Sequence, residues 1–346
     1  KSKNVIFPVA INFGNPNLNR SDLKDLNLES YNIKNISSYT SNYNVLGDTI
    51  LPLKSLANVS HGLGHINANR DGDGVIRRVP LLVKNKNGLF PSLAFSGILK
   101  YLKITDSNVE IKKSSILLKN VLLPGRRELK NIQIPVDDKG QMMINYAGRW
   151  EETFKHASFA SVLSEKNMDN KQENESLTGK LVLVSNVISG HDIKPIPLEK
   201  DYPGAGIHAN IINTILTGQF LRETGVLFNY TLVLLLCLAT ATLMDGRKYY
   251  IQTVKVLILI STYIFASSIF FQNGIVLKLF VPCSGIILTA IISLVYQSSR
   301  EKNLSDSSQA EKHKIELKLE FISKSLIAKE EALTQIQSKL LSLQAS

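Results

Sequence analysis

Three short constellations in this 346-residue chain carry side chains able to do chemistry. The first is Asn69-x-Asp71-x-Asp73-Gly74-x-Ile76, whose oxygen donors are spaced like the opening half of an EF-hand calcium loop. That loop needs a bidentate Glu at its twelfth position, where this chain has Pro80, and the residues after the motif read as strand rather than helix. The spacing therefore predicts a tight turn whose aspartates bond nearby amides. The second is His61-Gly62-Leu63-Gly64-His65. Histidines four apart share a metal only on a helix, and two intervening glycines oppose one, so no zinc site is expected. The third is His191-Asp192, with His208 further along. His191-Asp192 has the makings of an acid–base pair, and a hydrolase would need His191 and His208 to meet over the end of the Lys180 strand. No Ser or Cys sits in a nucleophile-elbow setting, so catalysis in these residues is not expected.

These groups need elements to hold them. Asn4 to Ile11 reads as a buried strand, and Val75 to Val83 as another, followed by the Asn87-Gly88 turn. Pro91 to Leu102 reads as a helix with Pro91 at its start. Ile132 to Val136 and Gln141 to Tyr146 flank Asp137-Asp138-Lys139-Gly140 as a hairpin. Lys180 to Ser185 reads as an apolar strand of a parallel sheet, and Gly206 to Thr217 as a helix. Alternating strands and helices predict an α/β domain. In such sheets ligands bind beyond the strand carboxyl ends, a place that falls to Asn186–Pro203 and the helix start, where free amides favour anions. The expected ligand-binding residues are Asn186, His191, Asp192, His208 and Asn210, with no metal and no cofactor.

Composition changes abruptly along the chain. Residues up to about Arg222 are polar and mixed, Val226 to Tyr296 is dominated by Leu, Ile, Val and Phe, and charge returns after Arg300. The apolar stretch divides into runs at about 226–244, 254–271 and 276–296, each long enough to span a bilayer and lacking the polar face of a soluble helix. Lys255 can snorkel, and neighbouring helices can tolerate a kink at Pro282. Arg247 and Lys248 in the first connection, and Arg300 and Lys302 after the third run, place those parts on the cytoplasmic side. Residues 1–225 are then extracytoplasmic, in a bacterium periplasmic, on a multi-pass protein of the inner (plasma) membrane. The net charge of +11 is scattered over lysines without an aromatic platform, which argues against nucleic acid. Cys237 and Cys283, the only two cysteines, lie in apolar runs and offer neither a disulfide framework nor a zinc site.

From Ile315 apolar residues alternate at steps of four and three: Leu319, Ile322, Leu326, then Leu333, Ile336, Leu340 and Leu343, with Lys329 interrupting the seam. This pattern, in residues 297–346, predicts a cytoplasmic coiled coil, a parallel homodimer since each copy leaves the membrane in the same direction. The Ser-rich Leu304–Gln309 is expected to loosen its junction with the third apolar helix.

Asp71-Gly72-Asp73-Gly74-Val75-Ile76-Arg77-Arg78-Val79-Pro80-Leu81, followed by Phe90-Pro91-Ser92-Leu93-Ala94, resembles the signature of the CHASE type 2 (CHASE2) domain, an extracellular sensor associated with cyclases and histidine kinases. So do Ile144 to Gly148, Leu177 to Val184, Asp192, Pro203 to Asn210 and Gly218 to Leu221, in order and spacing over most of residues 1–225. Three membrane helices after the domain are also the family's arrangement. The chain departs from the family at Ser185-Asn186, where Ile-Gly is usual, and in beginning at Lys1 without the family's leading strand, helix and membrane segment, which reads as a truncation. The resemblance implies sensory input and transmembrane relay to an effector such as an adenylate cyclase, histidine kinase, diguanylate cyclase or phosphatase, whose catalytic sequences these residues do not include. The implied partners are the bilayer, an unknown extracellular ligand, the effector and a second copy. The alternative is a membrane-anchored scaffold that binds an envelope component without catalysis.

Overall fold

The computed structural model describes residues 4–12, 28–34, 37–163, 177, 179–187, 192–244 and 248–344, with side chains through 339. They fall into two compact units, one of residues 1–223 with 273–276, the other of residues 224–272 with 277–346.

The first unit is mixed α/β. Strand β1 (Ile6–Asn12) pairs antiparallel with β2 (Asp48–Ile50) and, after the short helix α1 (Lys54–Ala57), parallel with β3 (Gly62–His65). All four residues of β3 are buried. The stretch read as one strand from Val75 is two, β4 (Arg78–Pro80) and β5 (Leu82–Asn85). β5 turns at Lys86-Asn87 into β6 (Gly88–Pro91), one residue before the turn expected at Asn87-Gly88. Helix α2 (Leu93–Tyr101) begins two residues later than expected: Pro91 ends β6, and Ser92 is the cap, its Oγ accepting from the Phe95 amide at 3.3 Å. It ends where Lys103 turns left-handed, φ 55°.

A meander comes next: β7 (Val109–Lys112), β8 (Ser115–Leu122) and β9 (Leu129–Pro135), all antiparallel. The Asp137–Gly140 turn forms as expected, with Asp137 Oδ1 accepting the Lys139 and Gln141 amides at 2.9 and 2.8 Å. The strand it launches, β10 (Gln141–Met143), pairs with β4 and not with β9, so the expected hairpin is a turn between two sheets. Short helices α3 (Trp150–Thr153) and α4 (Phe159–Leu163) come after it.

Lys180 to Ser185 is not a strand of a parallel sheet. It joins no ladder among the described residues; Leu181 and Leu183 pack on the core while Val182 and Val184 are exposed, the period-two burial of an extended segment with one wet face. The two-residue strands β11 (Ile193–Lys194) and β12 (Tyr202–Pro203) pair, and β12 runs straight into α5 (Gly204–Thr217). α5 buries Ile207, Ile211 and Ile215 at helical spacing and ends at Gly218, left-handed at φ 71°. Last comes β13 (Arg222–Glu223).

The second unit holds three helices long and apolar enough to cross a membrane: α6 (Val226–Leu243), α7 (Tyr249–Gln272) and α8 (Phe280–Gln344). The link between the last two contains β14 (Ile275–Val276), which belongs to the first unit and pairs in parallel with β13. Threonines of α6 and α7 bond to carbonyls four residues back, as Thr231 does to Leu227 and Thr262 to Ile258. At one end of the bundle Lys255 Nζ caps the α6 carbonyl of Leu243 at 3.0 Å, and Gln252 donates to Gln297 at 2.8 Å. At the other, Tyr263 donates to the Lys278 carbonyl at 2.6 Å. Gly285 lets α8 approach Cys237 of α6, whose sulfur would lie 3.2 Å from a Cβ there.

Two expectations about α8 are overturned. It starts at Phe280, so Pro282 lies in its first turn, where no intrahelical bond is lost and no kink is needed. It also runs unbroken through Leu304–Gln309, because serine costs a helix only a few tenths of a kcal/mol and no Gly or Pro is present to stop it.

Candidate functional site

The site begins with β3. Gly64 sits so close to α2 that a Cβ on it would be 2.5 Å from Leu93 Cα and 2.7 Å from Leu93 N. This closeness lets His65 bridge to Ser92 at the helix start, and it leaves His65 completely buried. His208, near enough to act on it electrostatically, lies in the second turn of α5 and is 8% exposed. Both ring nitrogens of His65, and Nδ1 of His208, are buried without a hydrogen-bond partner among the described residues. Burial pushes His65 down to about 3, helped by the neighbouring His208 ring. Burial likewise pushes His208 down to about 4, although Asp192 pulls it partly back up. Both imidazoles are therefore neutral at neutral pH.

Asp192 occupies the start of α5. Its carbonyl accepts the Gly204 amide at 2.8 Å, and its carboxylate would lie 2.1 Å from a Cβ on Gly204, so only glycine admits it there. Lys194 lies 3.4 Å from the same carboxylate. The helix start that a free anion could use thus already faces an anion of the chain itself.

Of the residues singled out from sequence, Asp192 and His208 come together here. His191 lies outside the described residues. Asn186 is exposed, in the extended stretch after Leu183. Asn210 is buried and bonded: Oδ1 accepts the Ala147 amide at 2.9 Å, and Nδ2 donates to Tyr202 OH at 2.7 Å and to the Gly206 carbonyl at 2.8 Å. Thr214 exchanges bonds with Asn145, so the two side chains fasten Asn145–Ala147 to α5. Replacing Asn210 with Ala strands the Ala147 amide in the interior, and the first unit should lose about 2–4 kcal/mol in thermal unfolding of the full chain. A loss within 0.5 kcal/mol would remove this structural role.

Sequence reasoning missed His65, having tested it only against His61. The available signal was a histidine in a run of small and apolar residues, matched by another among the isoleucines of α5. Beside the pair, Trp150 stands edge-on to Tyr202 at 6.0 Å and stacks on His156 at 4.1 Å, and Gly206 fits between the two larger rings.

The calcium-like motif resolves as a turn. Gly74 is left-handed at φ 84°, the Val75 amide donates to Asp73 at 3.1 Å, and guanidinium groups neutralise both aspartates. Arg77 reaches Asp71 at 3.0 Å and Asp73 at 2.8 Å, holding Asp73 well below the usual carboxylate range. Arg78 reaches Asp71 at 2.9 Å and also pairs with Glu223 of β13. Among the described residues no three His, Cys, Asp or Glu side chains are placed to hold a metal ion.

A model of the CHASE2 domain matches residues 4–244, well over half of the chain. No curated protein and no solved structure matches it.

Proposed function

Because the chain belongs to the CHASE2 domain family, a family of sensor domains, we propose that it is the input and transmission part of a bacterial membrane receptor. In this reading residues 1–225 lie outside the inner membrane, α6, α7 and the start of α8 cross it, and the rest of α8 pairs with a second copy in the cytoplasm. An effector enzyme downstream reads the state of that pair.

The observation that carries the reading is the continuity of α8. One 65-residue helix joins the third apolar span to a seam of Leu and Ile that is more than half exposed from Ile315 to Ile336 among the described residues. At 1.5 Å per residue it is about 100 Å long, of which the membrane takes roughly a third. A stiff rod of that kind carries rotation or translation, whereas a flexible junction would absorb it. At the other end of the relay, β13 leads into α6, while β14 joins α7 to α8. These two strands pair within the first unit, where Arg78 also links Glu223 of β13 to the Asp71 turn.

Cysteine scanning tests the pairing. With Cys237 and Cys283 replaced by Ala, Leu326→Cys and Leu333→Cys chains in native membranes should cross-link between copies within minutes of mild oxidation. Glu331→Cys, on the outer face, should not. Equal cross-linking at all three positions would sink the pairing. Locking different seam positions should then give different outputs from an attached effector, and identical output from every lock would remove the relay.

A further inference from the structure

Burying three imidazole nitrogens without partners is costly, and such groups in a native fold call for a reason. His65 and His208 sit on different elements, β3 and α5, with α2 packed on both. Their surroundings are unequal. His208 has the Asp192 carboxylate nearby, itself shared with Lys194, whereas the group acting on His65 is His208. Lys100 of α2 runs past Gly62 at the far end of β3, and Val9 lies beside His65 on β1.

We propose that the His65–His208 pair is the input site of this sensor and that its ligand is the proton. The proposal rests on the reading of the domain as a sensor and names the signal. When the outside acidifies, His208 takes the first proton, because Asp192 can pair with it. The second then falls on His65, which neighbours an imidazolium and has no carboxylate among the groups acting on it. The closed packing of β3 and α5 on α2 cannot hold two neighbouring cations in an apolar interior. α5 loosens, and the motion passes through Gly218 and β13 to the membrane helices.

The direction comes from proton counting. In the opened state both histidines return to ordinary affinities near 6.5, so the opened state binds more protons than the closed one below that pH. Closure is fully favoured above about 6.5 and is lost as pH falls toward the closed-state values of about 4 and 3. Between about pH 6.5 and 4 the open-to-closed ratio rises up to tenfold per pH unit for each histidine, and up to hundredfold for both.

Trp150, the only tryptophan, packs against the first turn of α5 and reports on it. His156 lies against it, its ring tilted by 37° with centroids 4.1 Å apart, so the parent for the test is the full chain with His156→Gln, in nanodiscs, where the signal reports on the pair alone. Its fluorescence should change cooperatively between pH 6.5 and 4, with a proton coefficient near two. Adding His65→Gln should reduce the coefficient to about one, and His65→Gln with His208→Gln should flatten the curve down to pH 4. A transition unchanged in the double variant overturns the proposal. Histidine ring NMR of the parent, with the two signals of the pair assigned by their loss in the His65→Gln and His208→Gln chains, reads the site directly, and both of those rings titrating near 6.5 would overturn it equally. Leu326→Cys cross-linking in the same chain separates the two readings. A flat Trp150 curve removes the proton site and leaves the relay standing, whereas an acid transition that leaves the cross-linking pattern unchanged removes the relay.

Discussion

Gly64→Ala should destabilise the first unit by about 3 kcal/mol or more, which lowers its unfolding midpoint by roughly 10 °C. The reason is what the new methyl would meet. Leu93 Cα at 2.5 Å, Leu93 N at 2.7 Å and the Ser92 carbonyl carbon at 2.9 Å are all backbone, and backbone in the first turn of α2 cannot rotate aside as a side chain can. Either β3 moves off α2, breaking its parallel register with β1, or α2 loses its Ser92 cap. Domains are stable by only about 5–15 kcal/mol in total, so a change of this size populates unfolded chains in the cell. Gly72→Ala is the control. A Cβ there meets nothing within 4 Å, and the expected change is below about 0.5 kcal/mol. Thermal unfolding of the two variants, followed by Trp150 fluorescence at pH 8, should separate them. Equal midpoints would mean that β3 and α2 are not in backbone contact.

Gly204→Ala meets a different obstacle and should behave differently. Its Cβ would collide with the Asp192 carboxylate, a side chain that can swing away or be removed. The contrast marks which glycines hold the fold and which merely admit a functional side chain.

What could be read in the amino-acid sequence was local. The isoleucines of α5, the apolar all-round character of α6 and α7, and the Asn87-Gly88 turn each declare themselves within a few residues, because helix periodicity and turn chemistry act over that range. The errors were questions of partner. The Asp137–Gly140 turn does reverse the chain, but nothing local to it states that β10 will join β4. Lys180–Ser185 is as apolar as a buried parallel strand, yet only its alternate residues face the core. Likewise His208 was legible as a residue at the start of α5, whereas its nearness to His65 depends on how α2 gathers β3 and α5. Asn210 was picked out as a ligand group from the same helix start; its amide bonds Ala147, Tyr202 and Gly206. The buried polar groups that make up the candidate site are therefore those whose environment the sequence states least directly.

In the proposed cytoplasmic pair, Leu326→Asp should weaken self-association at least a hundredfold, while Lys329→Ile should strengthen it. The steps of three and four assign Leu319, Leu326 and Leu333 to heptad position a, and Ile315, Ile322, Lys329 and Ile336 to position d. Each of these leucines and isoleucines is more than half exposed in the single chain. Covering a leucine gives about 1.5–3 kcal/mol, and each pair covers two at a layer, so a charge at 326 removes more than the roughly 2.8 kcal/mol that a hundredfold requires. Leu at a with Ile at d favours three or four strands over two in isolated parallel coils. Lys329 opposes that preference. In a two-stranded coil its long side chain can keep its ammonium in water, whereas in a wider bundle the same layer closes over it. Lys329→Ile should therefore raise the melting temperature of the assembly and also shift it from pairs toward larger species. Phe321→Asp, on the outer face, should do neither. Sedimentation of the full chain in density-matched detergent reads all three. Pairs of undiminished affinity in Leu326→Asp would place the interface elsewhere, and Lys329→Ile chains that remain strictly paired would mean that the membrane helices, not the seam, set the number of copies.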